Sequence, residues 1–189
     1  MKQAAISIYM LITMTVMTGI IYPLAMTGIA QLLFSKQANG NLVTVNGSIA
    51  GSELIGQGFV GQKYFHGRPS ANNYDGTNSG GSNYGPTNRK LVERAEKLAR
   101  SMRIENGLPA SATIPSDLVL ASGSGLDPHI SLESACLQVN RIAGARGIDK
   151  SILNKLLTHN SQKRYGGLWG DSYVNVLKLN IALDDPGKN

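Results

Sequence analysis

The chain changes character at Phe34. From Ile6 to Phe34, ISIYMLITMTVMTGIIYPLAMTGIAQLLF, there is no Asp, Glu, Lys or Arg, and Gln31 is the one strongly polar residue. As a helix these 29 residues would extend about 43 Å at ~1.5 Å per residue, against a hydrocarbon core of roughly 30 Å. Beyond Phe34 the pattern becomes short and mixed. Residues 35–41, SKQANGN, read as a polar linker. The runs LVTV and SIAGSELIG flank Asn46-Gly47, a pair that accepts the two positive φ angles of a type I′ turn, so a hairpin is predicted there.

Residues 66–87, HGRPSANNYDGTNSGGSNYGPT, are rich in Gly, Asn and Ser and hold no apolar period, which predicts a long surface loop. A helix follows over 89–106, capped by Thr87 or Asn88 and closed by Gly107 and Pro109. Its apolar positions are Leu91, Val92, Ala95, Leu98, Ala99 and Met102. Asp117–Ala121 reads as a short strand. Ser131 is placed to cap a helix with Leu132, Ala135, Val139, Ile142 and Ala143 inward and Glu133 in its first turn. A further helix over 149–160 carries Ile152, Leu153, Leu156 and Leu157, and the alternation in YVNVLKLNIAL predicts a closing strand. The whole predicts a single transmembrane helix followed by an α+β soluble domain: a flank over 1–5, a span over 6–34, a linker over 35–41 and a body over 42–189.

Charge sharpens that division. All 12 acidic residues and 17 of the 18 Lys and Arg follow Phe34. A buried core helix is the wrong account of a run apolar on every side for so long. A cleaved signal peptide competes, since Lys2 gives a basic start and Gly28-Ile29-Ala30 the small residues of a cleavage site. The run's length, and its continuation through Leu32-Leu33-Phe34, favour a permanent anchor. Lys2 on one flank against Lys36 on the other leans towards a cytoplasmic N-terminus and an extracytoplasmic body. Pro23 sits inside the run, where it removes a helix hydrogen bond. With Gly19, Gly28, Thr13, Thr15, Thr18 and Thr27 it makes a surface suited to close contact with other membrane helices, and Tyr22 lies on the same stretch.

The motifs with catalytic potential are weak. Gly56–Gly61, GQGFVG, fits G-x-G-x-x-G, but Gly67-Arg68-Pro69 follows where a helix should open, so a turn beside a strand is the better reading. Ser122, Ser124, Asp127 and His129 hold the residue types of a hydrolytic triad without a G-x-S-x-G elbow. Three readings stay open for 122–131: a structural turn, a docking surface, and a membrane-anchored hydrolase. His66, His129 and His159 lack ligand spacing for a metal, and the lone Cys136 has no partner for an internal disulfide. Bases and acids interleave along 88–105, as on a solvated helix face rather than a nucleic-acid stripe.

Three segments, 51–88, 114–148 and 174–184, together with the Tyr-Pro span YPLAMTGIAQLLF, resemble the C subunit of the bacterial Kdp potassium-transporting ATPase over nearly the whole chain. The resemblance implies a non-catalytic subunit of an ATP-driven, high-affinity potassium uptake complex in the bacterial inner membrane. Its implied partners are a channel-like potassium-binding subunit, a P-type ATPase subunit and a small single-span subunit, besides the lipid bilayer. ATP and potassium enter at the level of the complex, with no cofactor assigned to this chain. The resemblance also carries the idea of a catalytic chaperone that raises the ATPase subunit's affinity for ATP. That idea likens Ser79-Gly80-Gly81-Ser82-Asn83 to the signature loop of ABC transporters, although Asn78 and Ser82 stand where that signature has Leu and Gln. Two mechanisms follow: an extracytoplasmic brace acting indirectly, or a cytoplasmic-facing nucleotide-binding chaperone. The expected partner contacts are Gly19, Tyr22, Pro23, Thr27 and Gly28 in the span. In the body they are Arg68, Ser70, Tyr74, Gly123, Gly125, Asp127 and His129.

Overall fold

A computed structural model of the protein describes residues 2–164, 166–167 and 169–185. Met1 of the expected flank and the 186–189 tail of the expected body lie outside the described residues. The chain forms two compact units, one ending at Leu42 and one beginning at Val43.

The first unit is a continuous helical segment, Lys2–Leu33, 32 residues long with a mean hydropathy of 2.0 in its most apolar window. It is long and apolar enough to cross a membrane. It comprises α1 (Lys2–Val16), a π-helical turn (Met17–Ile21) and α2 (Tyr22–Leu33). The π turn has an evident cause. A proline ring collides with the carbonyl four residues back, here Gly19, and a widened turn moves that carbonyl aside. The Tyr22 N–H accordingly reaches back five residues to the Met17 carbonyl. Thr18 Oγ1 donates to the Met14 carbonyl at 2.7 Å, on the turn before the π segment. A single helical turn, α3 (Ser35–Ala38), occupies part of the stretch read as a polar linker.

The second unit opens with the hairpin β1 (Leu42–Val45) and β2 (Ser48–Ser52). Its turn residues have φ of 50° at Asn46 and 80° at Gly47, the left-handed pair that the sequence calls for. After the long loop comes α4 (Arg89–Glu105), with the Asn88 side chain accepting from the Lys90 N–H. Next are β3 (His129–Ser131), α5 (Leu132–Arg146), α6 (Lys150–Asn160), β4 (Ser161–Gln162), β5 (Tyr173–Asn175) and α7 (Val176–Asp184). The small sheet has the order β3-β5-β4, antiparallel throughout, with Ile130 opposite Val174 and Ser161 also opposite Val174. Ile130 and Val174 point into a core completed by Val139 and Ile142 of α5, Leu153 and Leu157 of α6, Leu179 and Leu183 of α7, and Phe65 from the loop.

Two expected strands are corrected. The stretch 117–121 begins as a 3₁₀ turn, Ser116–Leu118, set by Pro115. It buries Leu118 and turns the Asp117 carboxylate onto the start of α5, where it accepts from the Ser131 N–H and the Ser134 hydroxyl. The closing strand is three residues long and passes directly into α7. Apolar residues alternate at 177, 179, 181 and 183, which reads as a strand. They also recur at 176, 179 and 183, which reads as a helix. The Asn175 side chain decides between the two periods by accepting from the Lys178 N–H as an N-cap. The Ser131 cap of α5 holds, with its hydroxyl accepting from the Ser134 N–H. On α6, Leu153 and Leu157 are buried while Ile152 is exposed.

Candidate functional site

Apart from His129, the first residue of β3, the residues singled out in the body lie on loops, and those loops rest on a clamp of buried polar side chains. The segment Gly61–His66 has little regular structure of its own, so its backbone groups need partners from elsewhere. α5 and α7 supply them. Asn180 of α7 accepts from the Phe65 N–H at 2.9 Å and donates to the Phe65 carbonyl at 3.0 Å. Gln138 of α5 does the same for the next residue, accepting from the His66 N–H at 2.8 Å and donating to its carbonyl at 3.1 Å. Each amide thus replaces a neighbouring strand for one residue.

Arg141, 9% exposed, donates to the carbonyls of Gln62 and Tyr64, to Asn106 Oδ1 and to Gln138 Oε1. Arg146 donates to the Lys63 carbonyl and lies over the Tyr64 ring, 4.9 Å from its centroid. His66 Nε2 faces the Gly61 carbonyl at 3.1 Å, and its Nδ1 lies 3.6 Å from Glu105 Oε2. Burial, with Arg141 nearby, pulls the His66 pKa below its ordinary value of 6.5. The ring is therefore neutral at pH 7 and donates from Nε2. Every carbonyl from 61 to 66 faces a side-chain donor.

From this fixed base the chain runs into the 67–85 loop, which interlocks with 122–129. Gly80 N–H donates to the Ser124 carbonyl at 2.8 Å, and Gly56 N–H to the Leu126 carbonyl at 2.7 Å. Ser70 Oγ donates to the Gly125 carbonyl at 2.7 Å and accepts from the Tyr74 N–H at 2.9 Å. The Tyr74 hydroxyl donates to the Arg68 carbonyl at 2.6 Å. Burial raises that phenol's pKa. Close approach favours glycine at several places, Gly56 among them, where a Cβ would stand 2.7 Å from the Asp127 carbonyl oxygen. A Cβ on Gly125, where φ is 69°, would stand 2.6 Å from the Gly80 carbonyl oxygen, and one on Gly81 would stand 3.0 Å from that of Gly123. Gly123 itself faces open space.

Asp127 ties the cluster together electrostatically. Its Oδ1 accepts from the His129 N–H at 2.9 Å and lies 3.3 Å from His129 Nδ1, while Oδ2 accepts from Arg68 Nη1 at 2.9 Å. His129 and Arg68 together hold its pKa at about 2, against partial burial acting the other way. The His129 ring packs edge-on to Tyr173, centroids 4.6 Å apart.

Within 122–131 the serine hydroxyls find partners close by. Ser124 Oγ accepts from the Leu126 N–H at 3.1 Å, and Ser122 Oγ lies 3.4 Å from both Ser124 Oγ and the Asp127 N–H. The Asp127–His129 pair forms, but the serines serve the turn rather than the histidine. Arg68, Ser70, Tyr74, Gly125, Asp127 and His129 are brought together, with Gly123 at their edge. Ser79 and Gly80 are bonded to the Ser124 carbonyl, and Gly81 packs on Gly123, so half of the Ser79–Asn83 segment is occupied by contacts within the domain. In the span, a Cβ on Gly19 or Gly28 would meet nothing within 4 Å, and Tyr22, Pro23 and Thr27 are exposed on the helix.

Sequence reasoning missed Gln138, Arg141, Asn175 and Asn180. Gln138, Arg141 and Asn180 each interrupt an apolar helix face with a polar side chain, which marks the positions without naming the segment they hold.

The chain thus joins a helix long and apolar enough to cross a membrane to an α+β domain whose loops are held by buried polar side chains. Residues 4–185 match the family described as KdpC: K+-transporting ATPase, c chain. Proteins named potassium-transporting ATPase KdpC subunit are similar over almost their full length. The one from Rhodopseudomonas palustris (strain BisB18) is 45% identical, covering 97% of this chain and 98% of the relative. The one from Mycobacterium tuberculosis (strain ATCC 25177 / H37Ra) is 47% identical with the same coverage. That from Koribacter versatilis (strain Ellin345) is 45% identical, covering 97% and 94%. The chain belongs to the family of C subunits of potassium-transporting ATPases.

Proposed function

We propose that the protein is an accessory, non-catalytic subunit of an ATP-driven potassium uptake complex, anchored in the bacterial inner membrane with its N-terminus in the cytoplasm and its body outside. The observation that carries this reading is the family match over residues 4–185, on a chain with one helix long and apolar enough to span a bilayer. The span contributes Gly19, Tyr22, Pro23, Thr27 and Gly28 to contacts with helices of the channel-like, ATPase and small single-span subunits. The π turn supports this, because it exposes backbone at a place where neighbouring helices can approach.

The body acts as a brace. Its clamp on 61–66 holds the 67–85 and 122–129 loops in one arrangement, and a rigid surface lowers the entropic cost of docking. The loops dock on the outer mouth of the potassium-binding subunit. Any effect on ATP affinity is then a coupling free energy carried through subunit packing. Ser79–Asn83 are consistent with this reading, since Gly80 and Gly81 are turned onto 123–124 rather than left open as a phosphate cradle. A cytoplasmic body touching ATP directly is the alternative.

Gly123→Trp tests the brace. The site is open within the domain, so the variant should fold and melt as the parent does while potassium uptake by the complex falls severalfold. Unchanged uptake would remove this face from the docking surface. Replacing 6–34 by poly-Leu tests the span: full assembly and activity would reduce it to a plain anchor.

A further inference from the structure

We infer that the edge of the body formed by the end of α6 and the β4–β5 connection docks on the anionic headgroups of the bilayer that holds the chain's own span. The inference goes beyond the reading above and does not depend on potassium transport.

The connection carries Trp169, the chain's only tryptophan, 73% exposed, a few residues along the chain from the cations Lys163 and Arg164. Gly166, Gly167 and Gly170 have φ of 60°, 76° and 76°, and a Cβ on any of them would meet nothing within 4 Å. These glycines take left-handed angles with open space at their Cβ positions. An indole left in water by such a turn has the chemistry of a membrane-interface anchor, with an apolar ring and one N–H donor.

The same connection borders a groove of about 480 Å³ lined by Leu132, Thr158, Ser161, Lys163, Arg164 and Ser172, along with Gly167. Among the described residues no carboxylate lines it. The α6 carbonyls at its border are capped, Leu156 O by Asn160 Nδ2 and Thr158 O by the Ser161 hydroxyl. This removes much of the repulsion that a helix C-terminus offers an anion. Lys155 and His159 on the exposed face of α6 extend the same basic band from Thr158. Arg164 Nη2 meets Asp171 Oδ1 at 3.3 Å, in a pair whose side chains are 55% and 93% exposed. Such a pair is weak and yields to a phosphodiester.

Two cations and the hydroxyls of one groove, with an exposed indole on the same connection, fit a phosphate ester at a lipid–water boundary. The eight residues between Phe34 and Val43 extend to at most about 30 Å, a tether that keeps a bilayer holding the span within reach of the body. A basic segment so placed is drawn to anionic lipid by about fivefold for each Lys or Arg.

The full-length chain in lipid nanodiscs provides the test, with Trp169 as its own reporter. With phosphatidylcholine containing about 30% phosphatidylglycerol, enough for a negative surface potential, Trp169 emission should shift to the blue. Brominated acyl chains should quench it, and iodide should lose access. In phosphatidylcholine alone these effects should fall away, as they should in Lys163→Gln/Arg164→Gln, whose exposed positions leave the thermal melt unchanged. Glycerol phosphate added to the chain in detergent should produce no shift. Emission that stays open to iodide in anionic discs overturns the proposal. So does a shift caused by glycerol phosphate alone, which would mark a soluble ligand. A third arm carries an environment-sensitive dye on Trp169→Cys in a Cys136→Ser background. A spectrum that moves only when partner subunits assemble would assign this edge to a protein contact and also overturn it.

Discussion

Two glycine-rich stretches of the body use the same residue for opposite ends. In the 80–81 and 123–125 pair, backbones touch, and a Cβ at Gly125 or Gly81 would strike a carbonyl oxygen. In 166–170 the glycines take left-handed angles with open space around them. The first loops are ordered by contact, each backbone group handed to another segment or to a side chain. The second is shaped by local conformation and leaves its indole exposed. Composition does not separate these cases; what a Cβ would meet does.

Substitutions should grade accordingly. Gly125→Val combines a left-handed φ with a 2.6 Å collision, and should cost about 4 kcal/mol or more, enough to unfold much of the body. Thermal unfolding of the full chain in detergent, followed by circular dichroism, reads this directly. Arg141→Met comes next. It keeps the volume but strands the carbonyls of Gln62 and Tyr64, for a loss of roughly 2–4 kcal/mol. Faster hydrogen exchange confined to 61–66 would locate the damage in the clamp; unchanged exchange there would refute the clamp.

Asp127→Asn should act through pH. The folded pKa is about 2 against an ordinary 3.8, so its stabilisation is complete above pH 3.8 and is lost as pH falls towards 2. After allowance for solvent at this half-buried carboxylate, it amounts to about 1–2 kcal/mol. The variant should lack that part of the acid transition. His66 works at a higher pH: its depressed pKa means the unfolded chain takes up a proton first as pH drops below 6.5. Stability should begin to fall there, and His66→Gln should flatten that portion of the curve. Smallest of all, Gly167→Ala faces only its positive φ, at about 1 kcal/mol. A loss as large as that of Gly125→Val would erase the distinction between the two loops.

Much of the architecture was legible in local signals. Asn46-Gly47, the Asn88 and Ser131 caps and the period of α4 each act within a few residues, and the chain displays them openly. Val176–Asp184 was misread because two periods coexist there and a single side chain, Asn175, chooses between them. The pairing of the clamp with 61–66 was not legible. Gln138 meets His66 across 72 positions and Asn180 meets Phe65 across 115, and no spacing rule connects residues so far apart. Likewise the sequence offers Ser122, Ser124, Asp127 and His129 as a set, while only the fold reveals that the hydroxyls are spent on the turn.

The brace requires the body to work outside the membrane, away from ATP. Cys136→Ser with Thr87→Cys, an exposed position just before the Asn88 cap, tests it in spheroplasts treated with a membrane-impermeant thiol reagent, with a lysed sample to show that the cysteine is reactive. The account expects labelling in intact spheroplasts. Labelling only after lysis would place the body beside the ATP-hydrolysing subunit and contradict the brace.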